Sequence, residues 1–277
     1  MQNTDKRKRI WNVVQIIVIA VFCTFTLAME FVCRLDRIDS LRETMVCKLA
    51  QQLCGATAAI LLMIRLKLRL FGKPQKWLYL LPCLAVAVAN FQFSAYFSGK
   101  MQLIYNKPTD ILLFAGYCLS VGLFEEMIFR GVVFAVLAGV FAQSKKGFVW
   151  TYVVSSLVFG FAHLVNGFSL GTLLQIGYSI LTGGLFAFCM IKTKNIFCCA
   201  LVHGMYNFCG LLFETFDPIS GTIGLGAGVV FDLGTVITML IVDITVGVFV
   251  LCKVLTYSEQ ERVELYQKLA ITAQNER

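Results

Sequence analysis

An uninterrupted run of about 20 apolar residues has few destinations besides a bilayer, because about that many helical residues cross the hydrocarbon layer. This chain repeats such a run throughout its length: eight segments, at 10–31, 45–64, 77–97, 111–141, 148–164, 170–191, 196–213 and 229–252, meet or approach it. In 277 residues, 58% hydrophobic and 14% charged, the connections are short and a separate soluble domain is not expected. The expected fold is all-α: a polytopic membrane bundle of about eight transmembrane helices in one membrane domain, 1–277, ending in a short cytoplasmic tail at 256–277. The first segment is long and lacks a small-residue cleavage pattern, so it reads as a retained helix rather than a signal peptide.

The net charge of +8 raises the question of nucleic acid, and the placement of the charges argues against it. The basic residues form short clusters at the ends of apolar segments, where anionic headgroups anchor them, instead of one stripe with interleaved aromatics. With the N-terminus inside, alternation assigns Lys6, Arg7, Lys8 and Arg9 to the cytoplasmic side. The same side receives Arg65, Lys67, Arg69, Lys73, Lys76, Lys145, Lys146, Lys192, Lys194, Lys253, Arg262, Lys268 and Arg277. A smaller set, Arg34, Arg37, Arg42, Lys48, Lys100 and Lys107, falls opposite, which is the bias expected when both termini are cytoplasmic. Trp11, Trp77 and Trp150 sit near segment starts, as interfacial aromatics do. The partners read from charge are thus the lipid bilayer and no nucleic acid. The 11 cysteines lie scattered through apolar stretches without a disulfide framework, and the adjacent Cys198 and Cys199 lack the further ligands that zinc requires.

Ionisable side chains at bilayer depth cost roughly 2.5–3.5 kcal/mol each on insertion scales, so each needs a reason. The fourth segment carries Glu125, Glu126 and Arg130; Glu126 and Arg130 are four apart and share a helix face, which leaves Glu125 turned away and free of that pair. The chain has two histidines, His163 at the end of the fifth segment and His203 in the seventh, the latter four residues before Asn207. A carboxylate in an apolar setting can take a proton from water, a histidine can orient that water, and a second histidine with an amide can donate to an oxyanion. Together these groups suit amide hydrolysis by water, and no serine has the glycine-flanked setting of a covalent nucleophile. Asp243, deep in the last segment, either pairs with a polar group such as Arg130 or faces a wet cavity, and structural pairing is the expected account. Gly160, Gly183, Gly184 and Gly204 read as close-packing positions.

The three motifs, Glu-Glu-x-x-x-Arg at 125–130, Phe-x-x-x-His at 159–163 and His-x-x-x-Asn at 203–207, resemble those of the CAAX protease and bacteriocin-processing (Abi) family, which includes the Ras-converting CAAX prenyl endopeptidase. The resemblance spans about 111–213, the expected catalytic core. It implies a membrane-embedded endopeptidase with Glu125 as general base, His163 helping it to activate water, His203 and Asn207 stabilising the oxyanion, and Glu126 and Arg130 in support. The implied substrate is a peptide or a prenylated protein; in a bacterial plasma membrane it would be a bacteriocin or pheromone precursor. Two chemistries stay open: metal-independent glutamate catalysis, which is favoured, and a zinc site with Glu125, His163 and His203 as ligands, for which no His-Glu-x-x-His helix speaks. Two other classes compete with the enzyme: a non-catalytic immunity or scaffold protein, and an ion-coupled transporter, against which the lack of an internal repeat counts.

Overall fold

The computed structural model describes residue 21 and residues 41–91, 93–97, 102–103, 107–141, 144–168, 170–214 and 233–271. The chain divides into Met1–Arg37 and Ile38–Arg277, and every described residue except Val21 belongs to the second unit. The segment expected at 10–31 lies outside the described residues, Val21 apart.

The described residues are helical almost throughout. The long elements are α1 (Leu41–Arg65), α2 (Leu80–Ala89), α3 (Phe93–Phe97), α4 (Pro108–Glu126), α5 (Phe134–Phe141), α6 (Lys145–Ala162), α7 (Leu170–Thr193), α8 (Ile196–Leu211), α9 (Leu233–Leu255) and α10 (Glu259–Lys268). A π-helical stretch, Met127–Val133, joins α4 to α5, and a 3-10 turn, His163–Asn166, follows α6. The remaining extended pairing is a two-residue antiparallel bridge, Gln102 opposite Glu214 and Leu103 opposite Phe213, at the start of α4 and the end of α8. Among the described residues four helices are long and apolar enough to cross a membrane: Met45–Arg65, Lys145–Val165, Gln175–Thr193 and Ile237–Leu255.

Local chemistry sets the ends. Pro108 opens α4, where its missing N–H costs nothing. The Ser144 hydroxyl accepts from the Gly147 N–H to start α6, and the Asn195 side chain accepts from the Cys198 N–H to start α8. The stretch 77–97, expected as one helix, is broken. A 3-10 turn at Trp77–Tyr79 leads into α2, which stops at Asn90, and α3 follows as a separate short helix. The break has a tertiary cause: the Asn90 amide donates to the Tyr206 carbonyl on α8 at 3.0 Å, and Gly210 leaves room for it.

The core is built on the α4–α8 pair, against which α1 and α2 pack. Gly122 and Gly204 let these two backbones touch: a Cβ on Gly122 would lie 2.5 Å from the Ala200 carbonyl oxygen, and one on Gly204 would lie 2.8 Å from the Leu119 Cα. Helices α6 and α7 pack similarly through Gly160, Gly183 and Gly184, so the four glycines singled out from sequence all sit at close helix contacts.

Of the basic clusters expected on one side of the bilayer, those around 65–76, 192–194 and 262–268 meet at one end of the described bundle. The Leu70 carbonyl accepts from Ile196 N, Thr193 O accepts from Gln75 N, and Lys268 O accepts from Arg69 N. Helix α10 closes this end. Its Glu261 pairs with Lys76 and Lys192, its Glu264 pairs with Lys194, and Tyr257 stacks on Phe148 of α6 at 4.8 Å. Ser258 and Glu261 form a reciprocal capping box that starts α10, so the described part of the expected tail carries a docked helix. Trp77 and Trp150, both exposed, lie next to basic residues of this end in sequence.

Candidate active site

The polar residues expected at membrane depth converge on a small set of contacts at the junction of α4 and the π stretch. Glu126 and Arg130 are both fully buried, 0% exposed, and the Arg130 Nε lies 3.1 Å from Glu126 Oε2. This is a charge contact whose angle falls outside hydrogen-bonding geometry. The guanidinium is held by two further groups: its Nη2 donates to the Gly183 carbonyl of α7 at 2.9 Å, and its central carbon, Cζ, lies 4.1 Å from the Phe159 ring centre. A Cβ at Gly183 would come within 3.3 Å of Nη2, so a glycine here keeps the carbonyl within the reach of the arginine.

The other oxygen of Glu126 accepts from His203. Nδ1 of His203 lies 2.9 Å from Glu126 Oε1, and because a carboxylate only accepts, Nδ1 carries the proton. That bond turns Nε2 towards Glu125, whose Oε2 is 3.8 Å away. The distance is too long for a direct hydrogen bond and has the length of a charge contact. Glu125 is the open carboxylate of the pair, 26% exposed against 0% for Glu126. One carboxylate is therefore consumed by structure and its neighbour is available, as the helical spacing predicted.

His163 is placed by the 3-10 turn that ends α6. Its Nδ1 donates to the Phe159 carbonyl at 3.0 Å, which leaves Nε2 for other work. The Phe159 ring stands edge-on to both imidazoles, with centroids 5.3 Å from His163 and 5.8 Å from His203, so both histidines border one aromatic ring. Asn207 is half-buried one turn beyond His203 on α8. The structure thus joins Glu125, Glu126, Arg130 and His203 directly; His163 reaches the group through Phe159, and Asn207 through its helix.

His203 bonds Glu126 through Nδ1 and faces Glu125 with Nε2 at charge-contact distance. One expectation needs revision. Arg130 has Glu126 as its ionic partner, so Asp243 is not the residue that neutralises it. Three features had escaped the sequence reading: the π stretch, the Gly183 carbonyl, and Phe186 of α7, which stacks on His203 with centroids 4.5 Å apart at 20°. The π turn had no sequence signal, although such turns often occur at functional sites.

A zinc ion would need three ligands and an open position. Among the described residues no group of three His, Cys, Asp or Glu side chains is gathered closely enough to hold a metal ion, so the donor set of Glu125, His163 and His203 does not fit one as arranged.

Comparison with known families addresses the same stretch of chain. The family model described as type II CAAX prenyl endopeptidase Rce1-like matches residues 107–209, which run from the start of α4 to the end of α8 and include all three motifs. The matched segment, less than half of the chain, is similar to that family and carries every residue of the cluster, and the resemblance drawn from the motifs agrees with it. Searches among curated proteins and among solved structures returned no match.

Proposed function

We propose that this chain is an intramembrane endopeptidase of the CAAX-protease type that cleaves a peptide bond with a water activated by Glu125. The observation that carries the reading is the division of labour between adjacent carboxylates: Glu126 is buried against Arg130 and His203, whereas Glu125 stays half-open with the His203 Nε2 3.8 Å away. A gap of this size suits a charge-paired ring or a shared water. In this reading Glu125 takes the proton of the attacking water and His163 helps to hold that water through its unengaged Nε2. His203 and Asn207 face the developing oxyanion, and Glu126 and Arg130 hold His203 in place. Donation from Nε2 of His203 requires the doubly protonated ring, since Nδ1 already donates to Glu126.

The similarity of the matched segment supports a peptide or protein substrate, and the candidates are a bacteriocin-like precursor and a protein with a prenylated C-terminal tetrapeptide. The bilayer arrangement proposed is multi-pass with both termini on the cytoplasmic side, in a bacterial plasma membrane. The end of the bundle where Lys76, Lys192 and Lys194 meet α10 is then cytoplasmic, in keeping with the concentration of basic residues there.

The test is the Glu125→Gln variant, reconstituted in vesicles and supplied with a quenched-fluorescence peptide ending in a farnesylated Cys-aliphatic-aliphatic-Met sequence. Loss of the base should lower kcat by about 10²–10⁴-fold. The variant should still insert and retain its thermal transition. Full activity would remove Glu125 from the chemistry. Activity of the parent protein that is abolished by a chelator and restored by zinc would replace the metal-independent route by the zinc one.

A further inference from the structure

The imidazole of His203 is fixed by more than its bond to Glu126. A single hydrogen bond at Nδ1 leaves the ring free to swing about that contact, and the swing would move Nε2 relative to Glu125. Phe186 closes off that motion. Its ring lies nearly parallel to the imidazole, 4.5 Å centroid to centroid and 20° between planes, and covers one face. The Phe159 edge meets the imidazole at 84° and 5.8 Å from a second direction. Phe159 and Phe186 in turn brace each other at 6.2 Å and 77°, and both lie near the Arg130 guanidinium, at 4.1 and 5.5 Å. Both phenylalanines are among the largest fully buried side chains, so neither ring can give way without disturbing its neighbours.

We infer that Phe186 is a positioning residue of the site: stacked on His203, it aims Nε2 at Glu125. The inference rests on the proposed hydrolytic role of Glu125, but the contact it describes is measurable without substrate. Phe186 lies outside all three motifs, so nothing in their spacing announces it. Stacking also suits the proposed cycle, because an aromatic face interacts favourably with a ring that carries positive charge during turnover.

A control lies two residues along the same helix. Phe188 is also fully buried, but it faces Tyr79 and Phe249 and makes no ring contact with His203. Phe186→Leu and Phe188→Leu therefore remove comparable packing from α7, and only the first removes the stack. With the farnesylated peptide, Phe186→Leu should lower kcat about tenfold or more with KM within about twofold, because misplacement of a catalytic group acts on the chemical step. Phe186→Tyr should restore most of the rate, and Phe188→Leu should keep kcat despite a similar fall in melting temperature. Independently of activity, the ring signals of the two histidines, assigned with His163→Asn, should show His203 losing its ring-current displacement in Phe186→Leu. Unchanged His203 signals, or equal kcat in Phe186→Leu and Phe188→Leu, would overturn the inference. An active Glu125→Gln variant combined with altered His203 signals would instead sink the hydrolytic reading and leave the stacking contact intact.

Discussion

Glu125 and Glu126 are adjacent in the chain and opposite in circumstance. Glu126 is fully buried between a guanidinium and an imidazole, while Glu125 keeps a quarter of its surface open. Removing one partner of a buried ion pair leaves an uncompensated charge and costs about 3–5 kcal/mol. Arg130→Met should therefore lower the unfolding free energy in detergent by about that amount, measured by thermal or denaturant unfolding. Arg130→Met with Glu126→Gln should recover part of the loss, because the stranded carboxylate is removed as well. The Glu126–Arg130 pair was readable from the sequence, since two residues four apart on a helix must meet. The bond from Glu126 to His203 was not, because it joins residues 77 apart and depends on how closely α4 and α8 approach. The same reason hid Phe186: its contact exists only once α7 lies beside α8.

At the level of elements, apolar length located α1, α4, α6, α7, α8 and α9 among the described residues, and the glycines located contacts between them. The small residues at Gly122 and Gly204 allow backbone-to-backbone crossing of α4 and α8, so Gly204→Ala puts a methyl 2.8 Å from the Leu119 Cα. Overpacking of this kind costs about 1–3 kcal/mol. The variant should melt lower and also lose activity, since the crossing sets the distance from Glu125 to His203. Gly247→Ala on α9, where a Cβ meets nothing within 4 Å, should be neutral or stabilising by up to about 1 kcal/mol in the same unfolding assay. The break at Asn90 and the π turn at Met127–Val133 stayed invisible to pattern reading. Asn90 is fixed by a carbonyl on another helix, and the π turn lies within a run that no proline or capping residue marks as a break.

For the molecule as a whole, the charge pattern anticipated that basic clusters remote in sequence would meet at one end, and α10 fastens that end. Burial opposes ionisation of Glu261, but hydrogen bonds from Lys76 and the Ser258 backbone, with the charges of Lys192 and Lys76, outweigh it and hold the carboxyl down at about 2. Its neighbour Glu264 is lowered as well, by Lys194. A carboxyl whose value falls on folding stabilises the docked state above its ordinary value near 4.5, and that contribution fades as the pH drops towards 2. Limited proteolysis after α9 should accelerate across that window. Glu261→Gln should weaken the docking already at neutral pH and flatten the pH dependence.

The π stretch carries a consequence for how this helix can change over generations. A rod that alters its pitch in mid-course has a phase offset, so the ordinary step of about 100° per residue does not carry facing directions from Glu125 across to Phe134. The half that presents the carboxylates and the half that packs at α5 are therefore indexed independently. One residue gained or lost between Gly131 and Val133 would re-clock one against the other without replacing any side chain of the site. In such a helix, insertions and deletions are as consequential a variable as substitutions.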